Sequence, residues 1–242
     1  MPRIHVEQPL AGADAELSLP PGAARHVQVL RLQPGDALTL FDGAGCDWPA
    51  EVLAMGRSEV RVRVGAPQAV ARELGHAVTL ALVMPANDRM DGIVEKATEL
   101  GVAAIQPLTS ERSVLRLAGE RADRKRAHWQ GVAVAACEQS GRSVVARIEP
   151  VRGLADWLAA LPAAADTRRW LLSPTAAEPI ARRAAEAGAA TLVLSGPEGG
   201  LSAIEEDAAR ARGFVGVQLG PRILRADTAP LAVLGWLALS AL

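Results

Sequence analysis

The chain has 242 residues, half of them hydrophobic and 22% charged, with a formal net charge of −1. That is enough for a real core in one large or two small domains, it excludes a disordered chain, and it leaves no global field to draw nucleic acid, so any RNA grip must come from local clusters. With no Tyr, two Phe and five Trp, a sheet of stacking aromatics of the kind single-strand binders use is excluded as well.

Cys46 and Cys137 lie far apart and show no CxxC or Cys/His spacing. They read as reduced thiols of a cytoplasmic protein, and no metal is expected. Met-Pro-Arg-Ile-His at the start lacks the apolar core of a signal peptide. The longest apolar run, Ala229 to Leu242, is too short to span a bilayer, so a soluble protein with no membrane partner is expected.

Residues 1 to about 65 read as β-rich. Strands are expected at Arg3 to Val6, Ala37 to Phe41, Trp48 to Ala54 and Glu59 to Val64, the last alternating strictly and so half-buried. Gly22 to Leu32 reads as one helix with Ala24, Val27 and Val29/Leu30 on its apolar side, stopped by Pro34-Gly35. Short strands around one helix suggest a small barrel. Six arginines against eight carboxylates give this part a charge of −2, so a purely electrostatic hold on RNA is not expected from it. Residues 66 to 76 have the Pro and Gly of a linker.

From Ala77 on, strands and helices alternate, the signature of a mostly parallel sheet with helices on its faces. Strands are expected at Ala77 to Met84, Ala103 to Leu108, Trp170 to Ser173, Thr191 to Ser195 and Val215 to Leu219. Helices are expected at Asp88 to Leu100, which Gly101 would cap, and at Glu120 to Gln139. Ser202-Ala-Ile-Glu205 is a capping box opening another helix. The last helix, Ala229 to Leu242, is apolar nearly all round, which means a central core helix or burial against a second copy.

Two loops stand out. Ser195-Gly-Pro-Glu-Gly-Gly200 joins a strand to the capping box, and ligands bind at the carboxyl edges of such strands. The spacing suits either a plain β-to-α turn or a ligand loop; glycines crowded around one carboxylate favour the ligand. Leu219-Gly-Pro-Arg-Ile-Leu-Arg-Ala-Asp227 enters the last helix, with Asp227 or Thr228 as cap and Pro230 in its first turn. Ile223 and Leu224 there could plug a pocket while an arginine reaches out, or the loop could be a capped helix entry with solvated arginines. A basic cluster (Arg112, Arg116, Arg121, Arg124, Lys125, Arg126) suits phosphate or a solvated helix face. No dinucleotide fingerprint, Walker loop or G-x-S-x-G elbow appears.

Glu95-Lys-Ala-Thr-Glu-Leu-Gly101, Ser110-Glu-Arg112, Ala136-Cys-Glu-Gln-Ser-Gly-Arg142, Gly196-Pro-Glu-Gly-Gly200 and Leu219-Gly-Pro-Arg-Ile-Leu-Arg225 occur in that order. Together they resemble the ribosomal RNA small subunit methyltransferase E family of the SPOUT superfamily, over essentially the whole chain. The resemblance implies an α/β fold: a PUA-like β-barrel over residues 1–70 and, over 71–242, a knotted parallel sheet with helices on both faces. It implies S-adenosylmethionine-dependent methylation of uridine N3 in 16S rRNA, acting in the cytoplasm as a homodimer, with the assembled small ribosomal subunit as substrate. The cofactor would be held by Leu172, Ser173 and Pro174, by Leu194, Ser195, Gly196, Pro197, Glu198, Gly199 and Gly200, and by Leu219, Gly220, Ile223, Leu224, Arg225 and Ala226. Arg3, His26, Arg31, Arg112 and Arg142 would face RNA. Arg225, Glu198 and Asp227 are the candidate catalytic residues, although the family usually has Glu where this chain has Asp227. The alternatives are a SPOUT methyltransferase acting on another RNA nucleotide, or a catalytically silent RNA-binding assembly factor. A pure binder would not need both loops intact.

Overall fold

The computed structural model describes residues 1–57, 59–86, 88–163, 166–175, 178–183 and 190–240. Its contacts divide the chain into two compact units, one of Met1–Glu73 with Val134–Val145, the other of Leu74–Ala133 with Ala146–Leu242.

Among the described residues, the first unit holds a six-stranded sheet, one whole helix and the last turns of another. Strands β1 (Arg3–His5), β2 (Ala15–Ser18), β3 (Ala37–Phe41), β4 (Cys46–Met55), β5 (Val60–Val64) and β6 (Gln68–Ala69) flank helix α1 (Pro21–Val29). The order is β1-β3-β4-β5-β2, with β6 on β4. In β5, Val60, Val62 and Val64 are buried between exposed arginines, as strict alternation requires. These valines pack with Ile4, Leu38, Leu40, Val52 and the inner face of α1. Strand β2 is not among the expected strands, since Ala-Glu-Leu-Ser is too short and mixed to carry a pattern.

Helix α1 ends earlier than expected. Leu30 is its C-cap, and Arg31 takes φ +57 where a glycine would be usual. Arg31 N–H donates to the Gln28 carbonyl (3.0 Å) and Leu32 N–H to that of Val27 (3.3 Å), a Schellman closure. Pro34-Gly35 therefore forms a separate turn and does not stop the helix. The buried face is Ala23, Ala24 and Val27. Val29 and Leu30, expected on that face, are 69% and 42% exposed: Val29 is two residues from buried Val27 and so on the opposite side of the helix, and Leu30 is already its C-cap.

The second unit holds an eight-stranded sheet. Its strands are β7 (Ala77–Val83), β8 (Ala104–Thr109), β9 (Arg147–Ile148), β10 (Arg152–Gly153), β11 (Thr167–Leu172), β12 (Glu178–Pro179), β13 (Ala190–Ser195) and β14 (Val215–Gln218). The order is β10-β8-β7-β13-β11-β14-β12, with β9 on β8, and every pairing is parallel. Its helices are α2 (Arg89–Glu99), α3 (Gly119–Ser140, whose last turns belong to the first unit), α4 (Leu154–Ala160), α5 (Ala203–Ala211) and α6 (Thr228–Ser240). A short 3-10 turn covers Ile180–Arg183.

Both faces of the sheet are covered. Ala81, Val83, Leu171, Leu192 and Leu194 pack with Leu154, Trp157 and Leu158 of α4 and Ala209 of α5. Residues of opposite parity face the other way, where Trp170 meets Trp236 of α6 at 6.2 Å between ring centroids. Burial on two sides is why β7 and β13 read as continuous apolar runs. In α6, Pro230, Val233, Leu234 and Leu237 are buried, whereas Leu239 is 74% exposed. The expected end of this helix at Leu242 lies outside the described residues. Among the described residues no helix is long and apolar enough to cross a membrane.

Candidate active site

Strand order alone gathers the candidate loops. β13, β11 and β14 are adjacent and parallel, so their carboxyl ends share one edge of the sheet. The loops leaving them enclose a cavity of ≈ 550 Å³. Leu172, Ser173 and Pro174 contribute from the first loop, and Ser195, Gly196, Pro197, Glu198 and Gly200 from the second. Leu219, Gly220, Ile223, Leu224, Arg225 and Ala226 contribute from the third. Of the expected cofactor residues, Leu194 and Gly199 do not line the cavity. Leu194 is wholly buried in the core on the α4 and α5 side, and a Cβ on Gly199 would meet only the Arg112 side chain, at 3.7 Å.

The glycine loop is shaped by its own backbone. Gly200 N–H donates to the Pro197 carbonyl (2.9 Å), and Gly200 sits at φ +66, in the left-handed region. A Cβ on Gly196 would lie 3.1 Å from the Leu201 nitrogen and 3.2 Å from the Gly200 carbonyl carbon. Ser202 then forms the expected capping box with Glu205. The Glu205 carboxylate also accepts from the Glu111 N–H (2.8 Å), which docks the Ser110–Arg112 turn against the loop.

Arg112 completes that docking. Its Nη1 donates to the carbonyls of Gly199 (2.8 Å) and Leu201 (3.3 Å), so this exposed arginine, expected at RNA, braces the glycine loop from behind. Other members of the basic cluster also make ties within the protein. Arg126 donates to the Ile148 carbonyl (2.8 Å), Arg116 to that of Glu111 (3.2 Å), and Lys125 reaches Asp88 at 3.5 Å.

The three candidate catalytic residues differ in how they are held. Arg225 is exposed at the cavity wall, and its carbonyl accepts from Thr228 and Ala229 N–H groups (3.0 Å each), which fixes the entry to α6. Glu198 accepts from the Ala86 N–H at 3.1 and 3.2 Å, a tether to the loop after β7. Asp227 precedes α6, and its Oδ2 lies 3.4 Å from Arg89 Nη1. Arg89 also lines the cavity, and sequence reasoning missed it: Asp88-Arg-Met-Asp91 looks only like the first turn of a helix. Ile223 is 84% exposed and does not plug the pocket; it forms part of the rim.

The remaining RNA candidates belong to the first unit. Arg3 donates to both Asp47 oxygens (2.6 and 2.9 Å) and to Ser143 Oγ (3.0 Å), with Phe41 beneath its guanidinium at 5.1 Å. Burial by itself would raise the Asp47 carboxyl. Hydrogen bonds from Arg3 and Ser143 and the charges of Arg3 and Arg72 outweigh it and hold the group below the usual carboxylate range. His26 Nδ1 lies 3.3 Å from Glu138. Arg142, expected to face RNA, is 3% exposed and paired with Glu73, which leaves it no path to a phosphate. Arg31 is exposed at the end of α1.

Comparisons with known proteins agree with this geometry. The RNA methyltransferase domain family matches residues 72–238, and the RNA methyltransferase PUA domain family matches residues 19–65. The ribosomal RNA small subunit methyltransferase E of Bacillus subtilis (strain 168) is 31% identical over 86% of this chain and 83% of its own length. The crystal structure of an enzyme of the same name from Neisseria gonorrhoeae, bound to S-adenosyl methionine, superposes with a TM-score of 0.90. It is 36% identical, over 98% of this chain and 96% of that one. A Legionella pneumophila putative methyltransferase in complex with the same cofactor gives a TM-score of 0.89 at 30% identity, over 97% of this chain and 96% of that one. From the domains matched, the relatives' identity over most of both chains and a site built from the loops of one sheet edge, we conclude that the chain belongs to the ribosomal RNA small subunit methyltransferase E family and is an rRNA methyltransferase.

Proposed function

We propose that the protein methylates N3 of a uridine in 16S rRNA, with S-adenosylmethionine held in the cavity beside β13, β11 and β14. The observation that carries this reading is the convergence of the loops after these strands on one cavity of ≈ 550 Å³, within the usual range for a cofactor site. Its walls suit the ligand. Leu172, Leu201 and Leu224 offer apolar surface for an adenine, the Gly/Pro loops offer backbone groups for hydroxyls, and Glu198 and Glu206 offer carboxylates for a cationic end. Bound there, the cofactor supplies a methyl group already activated by a positively charged sulfur.

What the chain must add is placement and charge. Uridine N3 carries a proton between two carbonyls, so it becomes a nucleophile only as that proton leaves. Arg225 stabilises the negative charge that then spreads over N3 and both uracil oxygens. Asp227 accepts the proton and passes it to water. With Arg225→Ala, the single-turnover rate of methylation should fall by roughly 100-fold while cofactor affinity changes by less than about threefold. Equal losses in rate and affinity would remove Arg225 from the chemical step. Mapping methylated nucleotides in rRNA from cells with and without the gene tests the target, and a mark on another base would overturn the uridine assignment.

The enzyme works as a homodimer in the cytoplasm, where its substrate, the assembled small ribosomal subunit, is found. Support for the dimer comes from α6, where Leu231 and Trp236 are only half-buried and Leu239 is exposed beside a buried opposite face. An apolar stripe of that kind calls for cover. Sedimentation should show a dimer for the wild type and a monomer for Leu239→Lys. A variant that remains dimeric would move the interface elsewhere.

A further inference from the structure

Arg89, the first residue of α2, joins two loops that are far apart in sequence. Its Nη1 lies 3.4 Å from Asp227 Oδ2 and 3.9 Å from Glu198 Oε1. The three side chains are about one-third exposed (31%, 32% and 38%). Arg89 lines both the cofactor cavity and a neighbouring one of ≈ 620 Å³ between α2 and the start of α6, where Asp227 and Thr228 also lie. One cation thus serves two anions at the boundary between two cavities. A plain surface ion pair would matter little for stability. Its position against the proposed chemistry is what gives it consequence.

Two unpaired carboxylates beside a cationic sulfur would stabilise the reactant. Methyl transfer removes that positive charge, so whatever grips it in the ground state is lost in the transition state. The same carboxylates would also oppose negative charge on the uracil. We propose that Arg89 is a positioning residue that locks Glu198 and Asp227 to each other and cancels part of their charge, so that the site binds the methyl donor without trapping it. This rests on the reading of the cavity given above.

The test compares wild type, Arg89→Met and Arg89→Lys as full-length protein. Calorimetry with S-adenosylmethionine and with its neutral thioether product, S-adenosylhomocysteine, measures how far the site favours positive charge. Without the guanidinium, preference for the charged ligand should rise by about threefold to tenfold, as expected for one added unpaired charge at this range. Single-turnover methylation should fall by about tenfold to 100-fold with no matching loss of donor affinity. Arg89→Lys should keep the wild-type ligand preference and recover part of the rate. Adding Asp227→Asn to Arg89→Met should return the ligand preference towards the wild-type value, because the carboxylate left unpaired is then gone. A merely structural role would weaken both ligands in parallel. If wild type binds the donor and methylates rRNA while Arg89→Met shows the wild-type preference and rate, the role of Arg89 alone is overturned. If wild type binds neither ligand, the reading of the cavity falls and this role falls with it.

Discussion

Gly196→Ala is expected to weaken S-adenosylmethionine binding by roughly 10- to 100-fold, the equivalent of about 1–3 kcal/mol of overpacking. The added Cβ would sit 3.1 Å from the Leu201 nitrogen and 3.2 Å from both the Gly200 carbonyl carbon and Leu201 Cγ. Two of these are backbone atoms, so relief means shifting the loop backbone by a few tenths of an ångström, and the loop's inner wall is the proposed cofactor site. Gly199→Ala is the control. Its Cβ would meet the Arg112 side chain at 3.7 Å, an ordinary contact on the side away from the cavity, and affinity should stay at the wild-type level. Calorimetry on both variants decides the matter. Equal affinities for Gly196→Ala and wild type would remove the loop from the cofactor site.

Asp47→Ala should destabilise the first unit by about 3 kcal/mol, the lower end of what is lost when one partner of a buried pair is removed. Arg3 and Asp47 are each 13% exposed, and the aspartate also receives Ser143 and faces Arg72 at 3.5 Å. Removing it would leave Arg3 over Phe41 without a counterion. By contrast, Arg63 and Glu51 are 3.8 Å apart and half exposed, so Glu51→Ala should cost less than about 0.5 kcal/mol. Urea unfolding of the intact chain distinguishes them, and similar midpoints for the two variants would refute the claim. The pH dependence has a definite sign. Because the Asp47 carboxyl is held below its ordinary value in the folded state, its contribution is complete above about pH 4 and is lost as pH falls through the depressed value. The wild-type midpoint should therefore fall on acidification, and Asp47→Ala should flatten that fall.

Much of the molecule could be read from local pattern. The alternation of β5, the apolar runs of β7 and β13 and the capping box at Ser202 each follow from a few neighbouring side chains, and they stand where expected. Strands β2, β9, β10 and β12, of two to four residues, carry no local pattern of their own and exist through partners distant in sequence. The end of α1 is equally hard to read. Arg31 adopts a left-handed backbone that its side chain does not advertise, and a nearby Pro-Gly offered a more familiar stop.

Residue type and spacing suffice for the longer strands, for the loop chemistry and, through the order of the motifs, for the family resemblance. What each charged side chain does depends on its neighbours in space. A guanidinium looks the same in a sequence whether it braces a loop, as Arg112 does with the Gly199 and Leu201 carbonyls, lies buried against Glu73, as Arg142 does, or links two carboxylates, as Arg89 does. The partners of Arg89 and Arg112 depend on which strands lie side by side in the second unit. That order places β11, β13 and β14 together across a long stretch of chain, through contacts that no local pattern encodes.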